Sequence, residues 1–155
     1  MALNDVALAS RALIRLGAAP IASFNDGSAE AEIAGALFAP VRDSLLSAYG
    51  WSFASGQITL GLHYRIARQA LHAHASDVLL TYIFRPEEEE FPPYFDAALI
   101  ARLSAEFCIP VTENTARAEV LFRMATIEYE RARQIDAQQD SPGRIEDFSL
   151  IKARQ

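Results

Sequence analysis

The sequence predicts a mainly α-helical chain: a four-helix bundle with a small antiparallel β element between helices 2 and 3, and an extended C-terminal tail. Three observations predict this fold. Apolar residues recur at steps of three and four along four separate segments, which is the period of amphipathic helices. Between the second and third segments the pattern changes to short runs rich in β-forming residues. After the fourth segment, proline, glycine and charged residues interrupt the periodicity.

Length and composition indicate one globular domain. A chain of 155 residues has the size of a single domain, and we assign residues 1–140 to it, with the β element at about 55–85 and a C-terminal tail at 141–155. The net charge of −6 argues against a surface that binds nucleic acid along its whole extent. The sequence contains no membrane-spanning segment or secretory signal, so we expect synthesis in a cytoplasm and no membrane partner. The single Cys108 has apolar neighbours and is expected to be buried.

The first two helices are predicted from their caps and apolar stripes. Helix 1 covers residues 4–16, with Asn4 as N-cap and Gly17 as the stop. Helix 2 begins after Ser28, which can cap it, and Pro40 inside it predicts a kink. The stripe of helix 1 is Val6, Ala9, Leu13 and Leu16. The stripe of helix 2, which we expect to face helix 1, is Ile33, Leu37, Val41 and Leu45.

Residues 51–85 predict a small antiparallel sheet. The candidate strands are residues 57–60, 71–75 and 78–84, with Ser76-Asp77 as a tight turn between the last two. A helix over residues 64–74 is the competing interpretation, because Ile66 and Ala70 also fit a helical step.

Helices 3 and 4 follow the acidic segment at 87–90. The stripe of helix 3 steps by four and consists of Phe95, Leu99, Leu103 and Phe107. Pro110 is expected to end this helix, and Thr112 to cap helix 4, which runs to about Gln138. The residues expected on the buried side of helix 4 are Val120, Met124 and Ile127.

The sequence offers no candidate for catalysis and no cofactor site. It lacks a glycine-rich phosphate loop, a CxxC pair and a G-x-S-x-G motif. His72 and His74 would share one face of a strand and could begin a metal site, but a third ligand is missing. A metal-dependent enzyme that uses these two histidines is therefore an alternative, and an ordinary sheet face is the simpler interpretation.

Two further groups of residues have both a structural and a functional interpretation. The acidic run Glu87, Glu88, Glu89 and Glu90 is most simply a solvated loop, and its functional interpretation is an acidic surface that faces DNA or a neighbouring subunit. Trp51, with Tyr49 and Phe53, is expected to anchor the core where helix 2 meets the sheet. The arginines expected on helix surfaces are Arg11, Arg15, Arg42, Arg131 and Arg133.

Two sets of motifs resemble the head-to-tail adaptors of tailed phages and gene transfer agents, including tail tubular protein A of podophages. The N-terminal set is DGSAEA (26–31), VRDSLL (41–46) and WSFA (51–54). The C-terminal set is LTYI (80–83), FDAAL (95–99), ARLSAE (101–106), IPVT (109–112), AR (132–133), DAQQD (136–140) and IKAR (151–154). Together they cover most of the chain in the family's order. Residues 57–74 depart from podophage members, which have a longer β-rich insertion there, so direct attachment of tail fibres is not expected.

The resemblance implies a structural virion protein and not an enzyme. Members of the family are helical bundles with a small β element, and they assemble as a twelve-fold ring between the portal and the tail. The expected partners are the portal ring, other copies of the chain, the next tail component (a stopper, tail terminator or nozzle), and DNA transiently in the channel. The expected location is the head–tail interface of a particle, after assembly in the host cytoplasm.

The resemblance also implies roles for the tail and the acidic run. In related adaptors the C-terminal segment packs against the portal, and the residues expected to do so here are Ile145, Phe148, Leu150, Ile151, Lys152 and Arg154. A DNA channel should not bind phosphates, so the acidic run is expected to face either the lumen or an adjacent subunit. The alternative function is a small helical regulatory or DNA-binding protein, which would need a basic recognition helix.

Overall fold

The computed structural model describes the backbone of residues 3–60, 64–67, 70–72 and 78–139, and the side chains of these residues outside 58–80. This part of the chain is mainly helical, with the β element between the second and third helices, as predicted. The helices are α1 (Asp5–Leu16), α2 (Ala29–Ser47), α3 (Pro93–Thr112) and α4 (Thr115–Gln139). Two short 3-10 turns, Ser52–Ala54 and Glu88–Glu90, flank the β element.

The predicted caps of α1 and α2 are confirmed. The Asn4 side chain accepts a hydrogen bond from the Ala7 amide at 2.9 Å, and the Ser28 hydroxyl accepts one from the Ala31 amide at 3.2 Å. Gly17 ends α1 in the left-handed conformation, with φ of 82°, which glycine adopts without steric cost. These short polar residues therefore set the positions of both helices.

α3 is the central helix, and α1, α2 and α4 all pack on it. Its predicted stripe is confirmed, since Phe95, Leu99, Leu103 and Phe107 are completely buried. The expectation that α2 faces α1 is wrong, because α2 packs mainly on α3. Positions four apart drift by about 40° around a helix, so the predicted stripe moves off the contact. The residues of α2 that are buried are Ala31, Ala34, Phe38, Arg42, Leu45 and Leu46, while Ile33, Leu37 and Val41 are half-buried. α2 continues through Pro40, and the kink there stays a prediction.

The β element consists of two antiparallel pairs. β1 (Ser55–Leu60) pairs with β4 (Val78–Ile83), and β2 (Tyr64–Ala67) pairs with β3 (Ala70–His72). Strand formation near 57–60, 71–72 and 78–83 is confirmed, and the alternative helix over 64–74 is wrong where the chain is described. The predicted pairing of 71–75 with 78–84 is also wrong, because β4 takes the more distant β1 as its partner. The predicted turn at Ser76-Asp77 lies outside the described residues.

The predicted boundary between α3 and α4 is wrong. α3 passes through Pro110 and ends at Thr112, so the proline lies in the last turn of the helix and does not end it. The Thr112 hydroxyl donates to the Cys108 carbonyl at 2.6 Å and caps nothing. The Asn114 side chain caps α4 instead, since it accepts a hydrogen bond from the Arg117 amide at 2.9 Å.

The buried face of α4 is the opposite of the predicted one. Ala118, Ala125 and Ala132 are buried, and they follow one another at intervals of seven residues. Ala125 meets Ala101 and Ala105 of α3, so small side chains on both helices allow close packing. The predicted core residues Val120, Met124 and Ile127 are 45, 56 and 64% exposed.

Trp51 anchors the core between α2 and the start of β1, as predicted, and it also packs against α3 and α4. It is fully buried, and its indole N–H donates to the Leu45 carbonyl at 2.9 Å. Its ring packs edge-on against Tyr49, Phe95 and Tyr129, with centroids 5.1–5.8 Å apart. Edge-to-face aromatic pairs of this kind add stability beyond the area that they bury.

A buried carboxylate fixes the C-terminal half of α4 beside this cluster. Asp136 is 2% exposed and accepts hydrogen bonds from the Ser52 amide at 2.9 Å, the Ser52 hydroxyl at 2.7 Å and the Tyr94 hydroxyl at 2.7 Å. Burial raises the pKa of Tyr94 to about 12, and its hydrogen bond to Asp136 adds to this shift. The phenol is therefore a donor at physiological pH, and the three donors compensate the buried charge.

We predict that Asp136→Ala lowers the free energy of unfolding by about 2 kcal/mol, because the Ser52 amide, the Ser52 hydroxyl and the half-buried Tyr94 hydroxyl all lose their acceptor. Tyr94→Phe should cost less, about 1 kcal/mol, since only one hydrogen bond is lost. Urea unfolding measures both. Gln138→Ala, at an exposed position of the same helix, is the control. Equal stabilities of Asp136→Ala and the control would contradict this role.

Candidate interaction surfaces

The described residues contain no cluster of three histidine, cysteine, aspartate or glutamate residues that could hold a metal ion. The side chains of His72 and His74 lie outside the described part, so the two-histidine prediction stays untested. Cys108 is buried, as predicted, and its thiol lies 3.4 Å from the Thr112 hydroxyl.

The most prominent apolar surface is the side of α4 that points away from α3. We call it the outer α4 face and define it by Val120, Arg123, Met124, Ile127 and Arg131, which lie opposite Ala118, Ala125 and Ala132 on the helix. All five side chains are exposed. Neither arginine forms an ion pair with any residue that the structure describes. Exposed Glu119 and Glu130 lie beside Arg123 on the same side of the helix. A row of exposed large apolar side chains among charged residues is a candidate protein interface.

A second apolar surface lies at the end of β4. This β4 patch consists of Tyr82 and Phe84, which are 44 and 42% exposed and point to the same face because they are two positions apart. Ile83, which is 51% exposed, points to the opposite face. The Tyr82 ring lies over its strand partner Gly56, where an added Cβ would come within 2.6 Å of it. The rings of Tyr82 and Phe84 are 6.2 Å apart and form an exposed pair. The missing side chain of Gly56 therefore provides the space that the Tyr82 ring occupies.

The acidic run is ordered, and only part of it is available for binding. Residues 88–90 form a 3-10 turn, closed by reciprocal bonds between Glu87 and Glu90. Glu88 pairs with Arg42, whose side chain is only 8% exposed. The expectation of a solvated loop is therefore wrong for Glu88, and that of a helix-surface Arg42 is wrong because Arg42 lies between Phe38 and Leu45 on the buried stripe. Glu89 is exposed and has no side-chain partner among the described residues.

The Arg42 pair is a structural contact between α2 and the acidic turn. Burial lowers the pKa of the guanidinium, but hydrogen bonds with Asp43, at 2.8 Å, and with Glu88 outweigh it and raise the pKa. Arg42 thus stays charged, and it holds the turn on the bundle.

A groove of about 450 Å³ lies between α2 and α4 on the surface of α3. Apolar residues form most of its walls, and the Arg102–Glu106 ion pair, with a nitrogen–oxygen distance of 2.7 Å, lies at its polar edge. The apolar walls come from Leu37, Pro40, Val41, Leu45, Ala125 and Tyr129. The groove is therefore an apolar surface cleft with one charged edge.

One buried carboxylate has an incomplete set of partners. Oδ1 of Asp96, in the first turn of α3, has no hydrogen-bond partner among the described residues. Burial raises the pKa of this carboxyl to about 6, and the charge of Arg11 offsets the shift only in part. The protonation state of this half-buried carboxyl therefore changes near pH 6.

The structure leaves the tail prediction open. The residues expected to dock on the portal, Ile145, Phe148, Leu150, Ile151, Lys152 and Arg154, lie outside the described residues, which end at 139. Sequence reasoning missed two buried charged residues, although their spacing from known core residues could have predicted their burial. Asp136 follows Ala132 by four residues, so it continues the buried stripe of α4, and Arg42 follows Phe38 by four residues on α2.

Comparison with known proteins gives no assignment. No protein-family model matches the chain, and no curated protein is significantly similar to it. In the described part of the chain, no helix is long and apolar enough to cross a lipid bilayer.

We predict that Glu88→Gln lowers the free energy of unfolding by about 1–2 kcal/mol, because it leaves the buried Arg42 with Asp43 as its remaining acidic partner. Glu89→Gln in the same turn is the matched control and should leave stability unchanged, since its side chain is exposed. Thermal or urea unfolding compares the two. If both variants behave alike, Glu88 does not hold the turn in place.

Proposed function

We propose that the chain is a structural virion protein that forms a ring adaptor between the portal and the tail of a tailed phage or related particle. In this role it seals the head and conducts DNA through the ring. Its action is binding, without catalytic turnover. The observation that carries the proposal is the outer α4 face, where Val120, Met124 and Ile127 are exposed on a helix whose other side is already packed. A folded chain with such a face is suited to assembly with other proteins.

The arrangement of the resembling motifs supports the same function. The WSFA motif at 51–54, the FDAAL motif at 95–99 and the DAQQD motif at 136–140 are far apart in sequence. In the structure Trp51 packs against Phe95, with ring centroids 5.1 Å apart, and Ser52 donates to Asp136. The motifs therefore meet at one junction, which is expected if they specify a common fold.

The proposed partners follow from the resemblance. Copies of the chain would form the ring, the portal would bind the C-terminal tail, and a stopper, tail terminator or nozzle would bind below. DNA would be a transient occupant of the channel, and the net charge of −6 is compatible with its passage. The proposed location is the head–tail interface of the particle.

We predict that the chain co-sediments with the portal ring encoded in the same genome and that truncation after Asp140 abolishes this binding. The reason is that the tail supplies apolar anchors, which contribute most when a partner buries them. A double variant, Phe148→Ala with Ile151→Ala, should weaken binding at least tenfold, and Ser149→Ala is its matched control.

The outcomes separate the function from its docking mechanism. If the truncated chain binds as well as the full chain, the tail is not the anchor. If neither binds while circular dichroism shows both to be folded, the adaptor function is wrong. DNA binding by the same preparations would then favour the regulatory alternative.

A further inference from the structure

We propose that the C-terminal tail, residues 141–155, binds back onto its own bundle, in the groove between α2 and α4. The occupant of the groove is thus a segment of the same chain. This contact goes beyond the proposed function, because it belongs to the free chain before any partner is present. Only its consequence for portal binding rests on the proposed function.

The groove continues along α4 towards the C-terminal end of that helix. A second depression, of about 310 Å³, is lined by Tyr49, which follows α2, and by residues of α4 from Glu130 to Ala137. The two cavities are adjacent, since Ala48 and Tyr129 line the groove and the next residues, Tyr49 and Glu130, line the depression. Together they form one track along α4.

This track ends close to the point at which the tail leaves the helix. α4 ends at Gln139, two residues after Ala137, and residues 140–155 follow it. The track runs along α4 from Ala137 back to Ala125, twelve positions that span about 18 Å of helix. Residues 144–155 can extend over as much as about 40 Å, so the tail is long enough to cover the whole track.

The sequence that connects α4 to the apolar part of the tail favours a reversal of the chain. Ser141-Pro142-Gly143 is a cluster of turn-forming residues. Proline disfavours continuation of the helix, and glycine accepts backbone conformations that other residues avoid. A tail that reverses here returns antiparallel to α4, along the track.

The apolar residues of the tail then reach the apolar walls of the groove. Ile145 comes first after the reversal, and Phe148, Leu150 and Ile151 follow it at the distance of the groove. Without this contact, both the walls and these four side chains would need another cover from water. Mutual burial is therefore favourable.

The charges along the track also find counterparts in the tail. The Arg133 guanidinium lies 4.7 Å from the centroid of the Tyr49 ring and forms no ion pair with a described residue. The two acidic residues at 146–147 precede the apolar ones and can meet this cation. Glu130 lines the same depression, and Arg144 at the start of the tail has the opposite charge.

The far end of the groove fits the basic end of the tail. Ala125 packs on Ala101 and Ala105 of α3, so the Arg102–Glu106 pair lies at this end, away from Ala137. Lys152 and Arg154 follow the apolar residues of the tail and would approach Glu106. Opposite charges of this kind favour one direction of the tail over the other.

The chain's own tail has an advantage over any other occupant. A short linker holds a tethered segment at an effective concentration of about 1 mM near its site. The tail therefore occupies the groove at least half of the time if its dissociation constant as a separate peptide is about 1 mM or lower. A tail from a second copy would need that concentration of free chain.

NMR spectra of the full chain and of a chain truncated after Asp140 test the contact. We expect amide chemical shifts to differ at residues 37–48 of α2 and 125–129 of α4, and to agree along α1. The differences should persist on dilution from about 1 mM to about 20 μM, because a contact within one chain does not depend on concentration. Differences that vanish on dilution would assign the groove to the tail of another copy, and unchanged shifts along the groove would leave it without the tail. Either result overturns the proposal.

A peptide of residues 141–155, added to the truncated chain, measures the affinity of the groove. We expect saturable binding with a dissociation constant of about 1 mM or lower. Ser44→Arg puts a large charged side chain in the groove and should weaken this binding at least tenfold. Ser47→Arg is the matched control, because it is also exposed on α2 and does not line the groove. Circular dichroism verifies that both variants are folded, and equal peptide binding by the two would contradict the assignment.

The same variants separate this contact from the adaptor function. If the portal binds the tail, it competes with the groove, so full-length Ser44→Arg should bind the portal ring at least about twofold more tightly than wild type or Ser47→Arg. Portal binding by a chain that shows no groove contact leaves the adaptor function standing and the present inference wrong. A groove contact in a chain that never binds the portal has the opposite meaning: the contact stands and the adaptor function does not.

Discussion

The carboxylate of Asp136 is the interaction on which the arrangement of the helices most depends. It is buried near the end of the longest helix, and its three hydrogen bonds come from Ser52 and Tyr94, which lie more than forty positions earlier in the chain. A buried charge without such donors would be costly, so these contacts also select one register of α4 on the bundle. With α4 held in this register, its alanines pack on α3 and its larger apolar residues point outward.

This register explains how a small bundle can present a binding face without losing its core. α3 fills the interior with Phe95, Leu99, Leu103 and Phe107, and the Trp51 cluster closes one side. α4 contributes mainly alanine to this core, so Val120, Met124 and Ile127 remain available for a partner. The acidic run also combines a structural and an exposed residue. Glu88 stabilises the fold through its pair with Arg42, and the Glu89 side chain stays at the surface.

Sequence reasoning succeeded where a local signal fixes the backbone. Asn4, Gly17 and Ser28 set the helix ends because each satisfies or permits a particular backbone geometry within a few residues. It failed where the outcome depends on a distant element. The period of Val120, Met124 and Ile127 is correct for a helix, but periodicity alone cannot tell a core face from an interface. The small residues Ala101 and Ala105 of α3 decide which side of α4 is buried, because they pack against Ala125. The sequence of α4 alone does not include this information. The pairing of β4 with β1 across the intervening hairpin is non-local in the same sense.

The central claim is that the outer α4 face is covered when the chain functions, and oxidation of Met124 tests it most directly. The chain has two methionines, so the peptide that contains Met124 reports on this face without ambiguity in mass spectrometry. Peroxide converts an accessible methionine to its sulfoxide. We predict that Met124, which is 56% exposed in the isolated chain, is oxidised several-fold more slowly when the chain is assembled on the portal. Equal rates in the free and assembled chain would contradict the claim.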